Sequence, residues 1–245
     1  TDPPAQAPSG KRRVLITAFE PFDGRAENNS TRIAAAMKAH PELFPDIEVT
    51  VCTLPVVYDQ GAATAQACLD RMPEKPDMVL SLGEAGCKMQ LETLAINEDD
   101  VPGAPDNAGN VRSHRTIVEG GPRRLGFDVP GQAMFCALSP EERKAVEVSN
   151  SMNYVCNNTA YWMATKMRGT GIPYGFVHVP TTAEYCGAAN DPLANASLLA
   201  HMLGGALADR TAHRSATYAL PHCTNEERLP TSLEELSRAA ASIAE

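Results

Sequence analysis

Three side chains in this sequence are of the types that form a nucleophilic relay: Cys156, His178 and Glu92. In such a relay a thiolate attacks a carbonyl carbon, an imidazole transfers the proton, and a carboxylate orients the imidazole. Relays are recognised by their geometry in space, so the spacing of these residues along the chain does not establish one. The predicted elements must bring the three side chains together.

Cys156 lies in the stretch NYVCNNTAYW, at or near the start of a predicted helix over residues 155–168. Free backbone N–H groups and the positive end of the helix dipole stabilise a thiolate at such a position. Helical spacing also puts Cys156 on one face with Ala160 and Met163. A small, buried apolar side chain is therefore the alternative interpretation.

His178 and Glu92 lie on predicted strands. His178 is near the end of GFVHV, and ligands of open α/β sheets gather at the carboxyl ends of strands; a hydrogen-bonded core histidine is the alternative. In LETLAIN, alternation puts Glu92 on one face with Leu94 and Ile96. A carboxylate on an apolar face needs a partner such as His178, unless the strand ends there and Glu92 reaches water.

The order of the predicted elements indicates an α/β fold with a mostly parallel sheet. Apolar, β-branched runs predict strands at residues 12–19, 47–56 and 77–82. Between them, Ala-rich segments predict helices at residues 30–40, beginning with a serine cap, and at 59–72. Three successive β-α alternations favour parallel strands joined by right-handed crossovers.

The remaining predicted elements complete a single domain over residues 11–245. They are a strand at 91–97, a turn-rich loop at 98–110, a short strand near 134, a short helix capped by Ser139, a strand over AVEVSN, a strand at 174–180, and helices at 191–212 and 230–245. Residues 1–10 are rich in Pro and small polar types, which predicts a disordered leader. The leader is similar to the sequence left after removal of a signal peptide.

The composition narrows the classes of function. The chain has 245 residues with 43% apolar content, enough for one full core or at most two small ones. Its net charge of −9 makes nucleic acid and anionic membranes poor partners. No apolar run approaches the length that spans a bilayer.

The seven cysteines do not form a metal-binding pattern. No C-x-x-C is present and no Cys/His set has zinc-like spacing, so we expect no metal site. The odd number permits three disulfides with one free thiol, and equally permits seven reduced thiols.

Several segments resemble, in the same order, the signatures of pyroglutamyl peptidase I, the pyrrolidone-carboxylate peptidase family of cysteine peptidases. They are LITAFEPFDG, GEAG, ETLAINEDDVPGAPDNAGN, SNSMNYVCNN, GFVHVP and LPTSLEEL. The resemblance covers about residues 12–185 and 229–245. It implies a three-layer α/β/α sandwich around a mostly parallel twisted sheet, and removal of an N-terminal 5-oxoproline from peptides without a cofactor.

The resemblance also implies roles for individual residues. By motif position, Cys156 is the nucleophile, His178 the general base and Glu92 the residue that orients it. For Phe19 and Phe22, ordinary core packing at a strand end is the alternative to a role in binding the substrate ring. The residues implied in substrate binding are Phe19, Phe22, Asn28, Glu84, Tyr154 and Val155.

Two departures from the family pattern leave other functions open. Glu84 stands where the family usually has Gln, and a carboxylate near Cys156 opposes thiolate formation unless it is protonated or points away. The stretch SNSMN before the cysteine differs in the loop that frames the oxyanion. The alternatives are a catalytically silent or specificity-shifted relative that binds a peptide or partner at the altered pocket rim, and a related α/β hydrolase or phosphorylase-like enzyme with a different substrate.

The segment at about residues 186–228 resembles no part of the family and is interpreted as an insertion. We hypothesise that Cys186 and Cys223 close it as a disulfide, which would place the protein outside the reducing cytosol. The leader-like first residues favour export in the same way. The family resemblance instead implies a cytoplasmic enzyme, and it leaves a homo-oligomer possible.

Overall fold

A computed structural model describes residues 10–208 and Cys223. The strands are β1 (Arg12–Phe19), β2 (Ile47–Leu54), β3 (Met78–Glu84), β4 (Met89–Glu92), β5 (Leu94–Ile96), β6 (Asp99–Val101), β7 (Arg112–Arg115), β8 (Arg124–Gly126), β9 (Val146–Ser149) and β10 (Tyr174–Val179). The α-helices are α1 (Asn29–Ala39), α2 (Gln60–Asp70), α3 (Gly131–Cys136), α4 (Pro140–Arg143), α5 (Tyr154–Met167), α6 (Ala183–Cys186) and α7 (Pro192–Ala208).

Six strands form the central sheet in the order β2-β1-β3-β10-β4-β9. All neighbours are parallel except β10 and β4, which are antiparallel. β5 pairs with β8, and β6 pairs with β7, in two small antiparallel sheets. The carboxyl ends of β1, β3 and β10 therefore meet at one edge, where the chain leaves for its loops.

The sheet is covered on both faces, which confirms the predicted three-layer α/β/α architecture. Alternate residues of β1 point to opposite sides, with Val14 and Ile16 in one apolar cluster and Leu15 and Phe19 in the other. One cluster joins the sheet to α1, α3 and α7, and the other joins it to α2 and α5. This double burial explains why the predicted parallel strands read as continuous apolar runs.

Three local predictions are wrong. Asn28, not a serine, caps α1, because its side chain accepts a hydrogen bond from the N–H of Ser30 at 2.9 Å. The segment near residue 134 forms α3 and packs on α7 rather than adding a strand; short apolar runs do not distinguish the two. The loop at 98–110 contains β6.

The strand predicted at 91–97 is also wrong, because it divides into β4 and β5 at Thr93. The N–H of Thr93 donates to Ser149 at 2.9 Å, while its carbonyl accepts from the N–H of Phe127 at 3.0 Å. The chain thereby passes from the central sheet to a small one. Glu92 consequently does not share a continuous strand face with Leu94.

Three disulfides join Cys52 to Cys68, Cys87 to Cys186 and Cys136 to Cys223. The hypothesised bridge between Cys186 and Cys223 is therefore wrong. Cys186 ends α6 and lies beside the loop that follows β3, whereas Cys223 lies against the end of α3. The free thiol is Cys156.

Some predictions concern parts of the chain that are not described. The leader at residues 1–9, the end of the helix predicted to 212, most of the segment at 209–228 and the helix at 230–245 lie outside the described residues. Within the described ones, no helix has the length and apolar character needed to cross a membrane.

Candidate active site

The residues singled out from the sequence line one cavity of about 470 Å³ at the carboxyl edge of the sheet. They are Phe19, Phe22, Asn28, Glu84, Glu92, Tyr154, Val155, Cys156 and His178. Widely separated segments thus converge because the ends of β1, β3 and β10 and the start of α5 share this edge.

The two strand residues form a buried pair. His178 Nδ1 lies 2.8 Å from Glu92 Oε1, and the two residues are only 6% and 2% exposed. In the β10–β4 register, Glu92 is opposite Phe176, so His178 is its diagonal neighbour on the same face. The carboxylate therefore has the partner that its burial requires, and the alternative in which it reaches water does not hold.

Cys156 lies in the first turn of α5 and lines the same cavity as His178, and its interaction with the imidazole helps to raise the pKa of His178. The preceding Tyr154 has φ of +58°, a left-handed conformation that is rare for residues other than glycine. A Cβ at Gly83 on β3 would lie 3.0 Å from the sulfur and 2.8 Å from the ring of Phe176. Gly83 therefore makes room for the thiol, a requirement that the sequence analysis missed.

The electrostatics of the pair favour a protonated imidazole. Burial alone lowers the pKa of His178, but hydrogen bonds to Cys156 and Glu92 outweigh it and raise the pKa to about 9. An imidazolium beside the sulfur stabilises negative charge there. The arrangement can therefore place a proton donor, the imidazolium, beside the sulfur nucleophile.

Aromatic side chains form much of the cavity wall. Phe19 is 2% exposed and its ring lies 6.5 Å from that of Phe176. The ring of Phe22 is half-buried and lies 6.1 Å from that of Tyr154. Tyr154 donates its hydroxyl to the carbonyl of Pro105 at 2.8 Å, which joins the wall to the loop after β6. These walls suit a flat, uncharged group.

The two predicted polar residues are already bonded within the fold. Asn28 donates to the carbonyl of Glu20 at 3.1 Å, besides capping α1. Glu84 forms an ion pair with Arg25 and accepts a hydrogen bond from the hydroxyl of Thr181 at 2.9 Å. Glu84 thus lines the cavity as part of a charge-balanced cluster, an arrangement that the sequence analysis did not consider.

Two amides that follow the cysteine were also missed. Asn157 is 1% exposed and bonds both the N–H and the carbonyl of Ile96, each at 2.8 Å. Asn158 is fully buried and donates to Asp99 at 2.9 Å. They hold β5 and β6 against α5, and so place the loop after β6 on the cavity. Two consecutive asparagines on a buried part of a helix were the available signal in the sequence, because buried amides need hydrogen-bond partners.

One side-chain group has a geometry that metals use. Ligand atoms of Glu98, Asp100 and His114 lie within 4.8 Å of one another on the β6–β7 hairpin. They are not among the cavity residues, and they already pair at 3.3 and 3.2 Å. An exposed acidic group of this kind does not by itself make a metal site.

The family model described as pyroglutamyl peptidase matches residues 12–203. The chain belongs to the pyroglutamyl peptidase family. A pyrrolidone-carboxylate peptidase of Erwinia tasmaniensis is 32% identical over 194 residues, which cover 78% of this chain and 88% of that one. Another from Streptomyces coelicolor is 31% identical, with 80% and 90% covered.

Solved structures of this peptidase family are also similar. Pyroglutamyl peptidase I of Bacillus amyloliquefaciens has a TM-score of 0.69 at 25% identity, covering 81% of this chain and 98% of that one. A mutant pyrrolidone carboxyl peptidase of Pyrococcus furiosus has the same TM-score and identity, covering 80% and 98%. The family match extends to residue 203, so it includes much of α7 in the segment interpreted as an insertion.

Proposed function

We propose that this protein removes an N-terminal pyroglutamyl residue from peptides, with Cys156 as the nucleophile. In this proposal His178 is the general acid and base, and Glu92 orients it. The carrying observation is the buried hydrogen bond between Glu92 and His178, with Cys156 on the same apolar cavity, in a member of the pyroglutamyl peptidase family.

The proposed reaction proceeds through an acyl-enzyme. The thiolate of Cys156 attacks the carbonyl carbon that joins the pyroglutamyl residue to the peptide, and electrons move onto the carbonyl oxygen. His178 donates its proton to the leaving amine as the C–N bond breaks, which leaves a thioester. Water then loses a proton to His178 and attacks the thioester, releasing 5-oxoproline and the thiolate.

Other groups around the cavity support this assignment. The bond between Nδ1 of His178 and Glu92 leaves Nε2 as the ring nitrogen available to exchange a proton with Cys156. Free N–H groups at the start of α5 are available to the oxyanion near Cys156. Phe19 and Phe22 offer apolar surface to the 5-oxoproline ring.

A silent or partner-binding relative is not favoured. One of the features that suggested it, besides the insertion, was Glu84 near the nucleophile. Its carboxylate is held by Arg25, Thr181 and the N–H of Asn29, and its side chain is 1% exposed. The cavity rim therefore does not present an unbalanced carboxylate at this position.

A fluorogenic pyroglutamyl amide tests the proposed function. We expect the wild type to release the fluorophore, and Cys156→Ser and His178→Ala to lose at least about a thousandfold in kcat/KM. His201→Ala, at an exposed histidine of α7, is the matched control and should keep wild-type activity. Full activity in Cys156→Ser, or cleavage of a prolyl amide in place of the pyroglutamyl one, would contradict the proposal.

We further propose an oxidising compartment and peptide substrates found there. The three disulfides support it, because reducing cytosol keeps most thiols free. In denatured protein purified without reductant, iodoacetamide should add one group, on Cys156. Alkylation of all seven cysteines in that sample would contradict the proposed compartment while leaving the proposed reaction intact.

A further inference from the structure

The loop between β1 and α1 contains a tight turn that puts Phe22 and Arg25 side by side. The N–H of Arg25 donates to the carbonyl of Phe22 at 3.1 Å. The central residues Asp23 and Gly24 have φ of +55° and +68°, as a type I′ turn requires. The guanidinium of Arg25 consequently lies over the Phe22 ring, 4.1 Å from its centroid.

The other end of Arg25 is held by a buried carboxylate. Glu84 pairs with the guanidinium and also accepts hydrogen bonds from the N–H of Asn29 at 2.6 Å and the hydroxyl of Thr181 at 2.9 Å. Glu84 ends β3, and its register partner on β10 is Val179, the residue after His178. Arg25 is therefore attached to the edge of the sheet that carries the proposed base.

Phe22 also contacts the cavity and Tyr154. The two rings are 6.1 Å apart, and both residues line the cavity. Phe22 thus contacts both Tyr154 and a guanidinium that buried Glu84 holds in place. Arg25 does not itself line the cavity, so its effect on a bound group must pass through Phe22.

We propose that Arg25, fixed by Glu84, is a positioning residue that holds Phe22 as a wall for the pyroglutamyl ring. The inference rests on the proposed function and concerns the affinity of the protein for the pyroglutamyl ring. Without the ion pair, the turn that carries Phe22 is no longer attached to β3. The bound pyroglutamyl ring then loses contact area with Phe22. The proposed relay lies on α5, β10 and β4 and is independent of this loop, so the chemical step is retained.

The test uses Arg25→Gln, Glu84→Gln and the double variant in the full-length protein. KM and kcat are measured with a fluorogenic pyroglutamyl amide, and free 5-oxoproline serves as a competitive inhibitor that reports ring affinity without chemistry. Arg12→Gln is the matched control. Arg12 pairs with Asp77 at the opposite end of the sheet and has 34% side-chain exposure, against 29% for Arg25.

We expect each single variant to raise KM and the inhibition constant of 5-oxoproline about tenfold, with kcat within about twofold of wild type. The double variant should bind the ring no more weakly than the weaker single variant, because both substitutions remove the same ion pair. Arg12→Gln should match wild type in all three quantities. If Arg25→Gln does not fold, Arg25→Lys keeps the charge but not the planar stacking, and should raise KM by a smaller factor.

Several outcomes would overturn the inference. One is an active wild type with unchanged KM and inhibition constant in Arg25→Gln, which leaves the proposed function standing. Another is a loss confined to kcat, and a third is full additivity of the two substitutions in the double variant. A folded wild type that releases no fluorophore would contradict the proposed function and this inference together.

Discussion

The relay and the opposite wall of the cavity are held in place by different means. His178 and Glu92 lie on neighbouring strands of the central sheet, where backbone register sets their distance. The opposite wall, residues 97–112, lies outside that sheet and contributes Val101, Ala104 and Pro105 to the cavity. Side chains hold it instead, chiefly a cluster around Arg112.

The cluster around Arg112 joins four elements: β7, which carries Arg112, the start of α2, β6 and α5. Arg112 pairs with Asp59 at the start of α2 at 2.6 Å and with Asp99 on β6 at 2.7 Å, and Asn158 of α5 donates to both. The hydrogen bond from Arg112 lowers the pKa of the half-exposed Asp59 to about 2, whereas burial raises the pKa of Asp99. Backbone pairing therefore positions the relay residues, and a buried charged cluster holds the opposite wall. Substitutions in the relay should mainly lower the reaction rate, and substitutions in the cluster should mainly lower the stability of the fold.

The largest expected effect is on the rate, from Glu92→Gln. The neutral amide keeps the shape but stabilises the imidazolium less, so kcat/KM should fall about a thousandfold. The free energy of unfolding should change by about 1 kcal/mol or less, because the ladder around β4 remains. Steady-state kinetics and urea unfolding measure the two quantities.

The control for that variant is Glu48→Gln, on an exposed position of edge strand β2. It should keep wild-type kinetics and stability. If Glu92→Gln instead unfolded the protein while Glu48→Gln did not, the carboxylate would be holding the sheet, and the distinction between the two regions would be lost.

The next largest effect is on stability, from Arg112→Gln. It leaves the buried Asp99 without its ion-pair partner, so the free energy of unfolding should fall by about 3 kcal/mol. KM should rise because the wall loosens, with kcat nearly unchanged. Adding Asp99→Asn should recover part of the stability, since no buried carboxylate then lacks a partner.

Arg115→Gln, at the exposed end of β7, is the matched control for Arg112→Gln. Chemical denaturation should show it to be as stable as wild type. Equal stability of Arg112→Gln and Arg115→Gln would contradict the view that a charged cluster holds this wall.

The smallest expected effect is the pH dependence of the relay. Since the pKa of folded His178 is raised to about 9, kcat/KM should fall about tenfold between pH 8 and pH 10 as the proton donor is lost. A raised pKa in the folded state also stabilises the fold. That stabilisation is complete below about pH 6.5, the usual histidine value, and disappears as pH rises through about 9.

Urea unfolding from pH 6 to pH 10 checks the stability part. The decline between about pH 6.5 and 9 should be absent in His178→Gln and retained in His201→Gln. A wild-type profile of kcat/KM that stays flat to pH 10 would contradict an imidazolium at this position.

Local patterns in the sequence carried much of the fold. β1, β3 and β10 were predictable because strands buried on both faces are continuous apolar runs between turn residues. The cap of α4 at Ser139 was predictable from a local capping box. The division of the predicted strand into β4 and β5 at Thr93 was not predictable, because it depends on hydrogen bonds to Ser149 and Phe127, which are distant in sequence.

The candidate site shows the same limit at the level of side chains. Cys156, His178 and Glu92 could be selected from their types and from the family resemblance. The Arg25–Glu84 pair could not be predicted from the sequence. The two residues are 59 positions apart, and their charges meet only after β1 and β3 align. The disulfide partners likewise depend on which loops adjoin, so Cys186 bonds Cys87 rather than Cys223.

The sequence by itself determined the order of the main elements, the apolar faces and the identities of the candidate relay residues, because those depend on neighbours within a few positions. Only the tertiary structure decided which thiol stayed free, how Glu84 was balanced and what holds each wall of the cavity. The physical reason is that charges, thiols and hydrogen-bonding groups act over a few ångströms in space. Their partners lie tens of residues away along the chain.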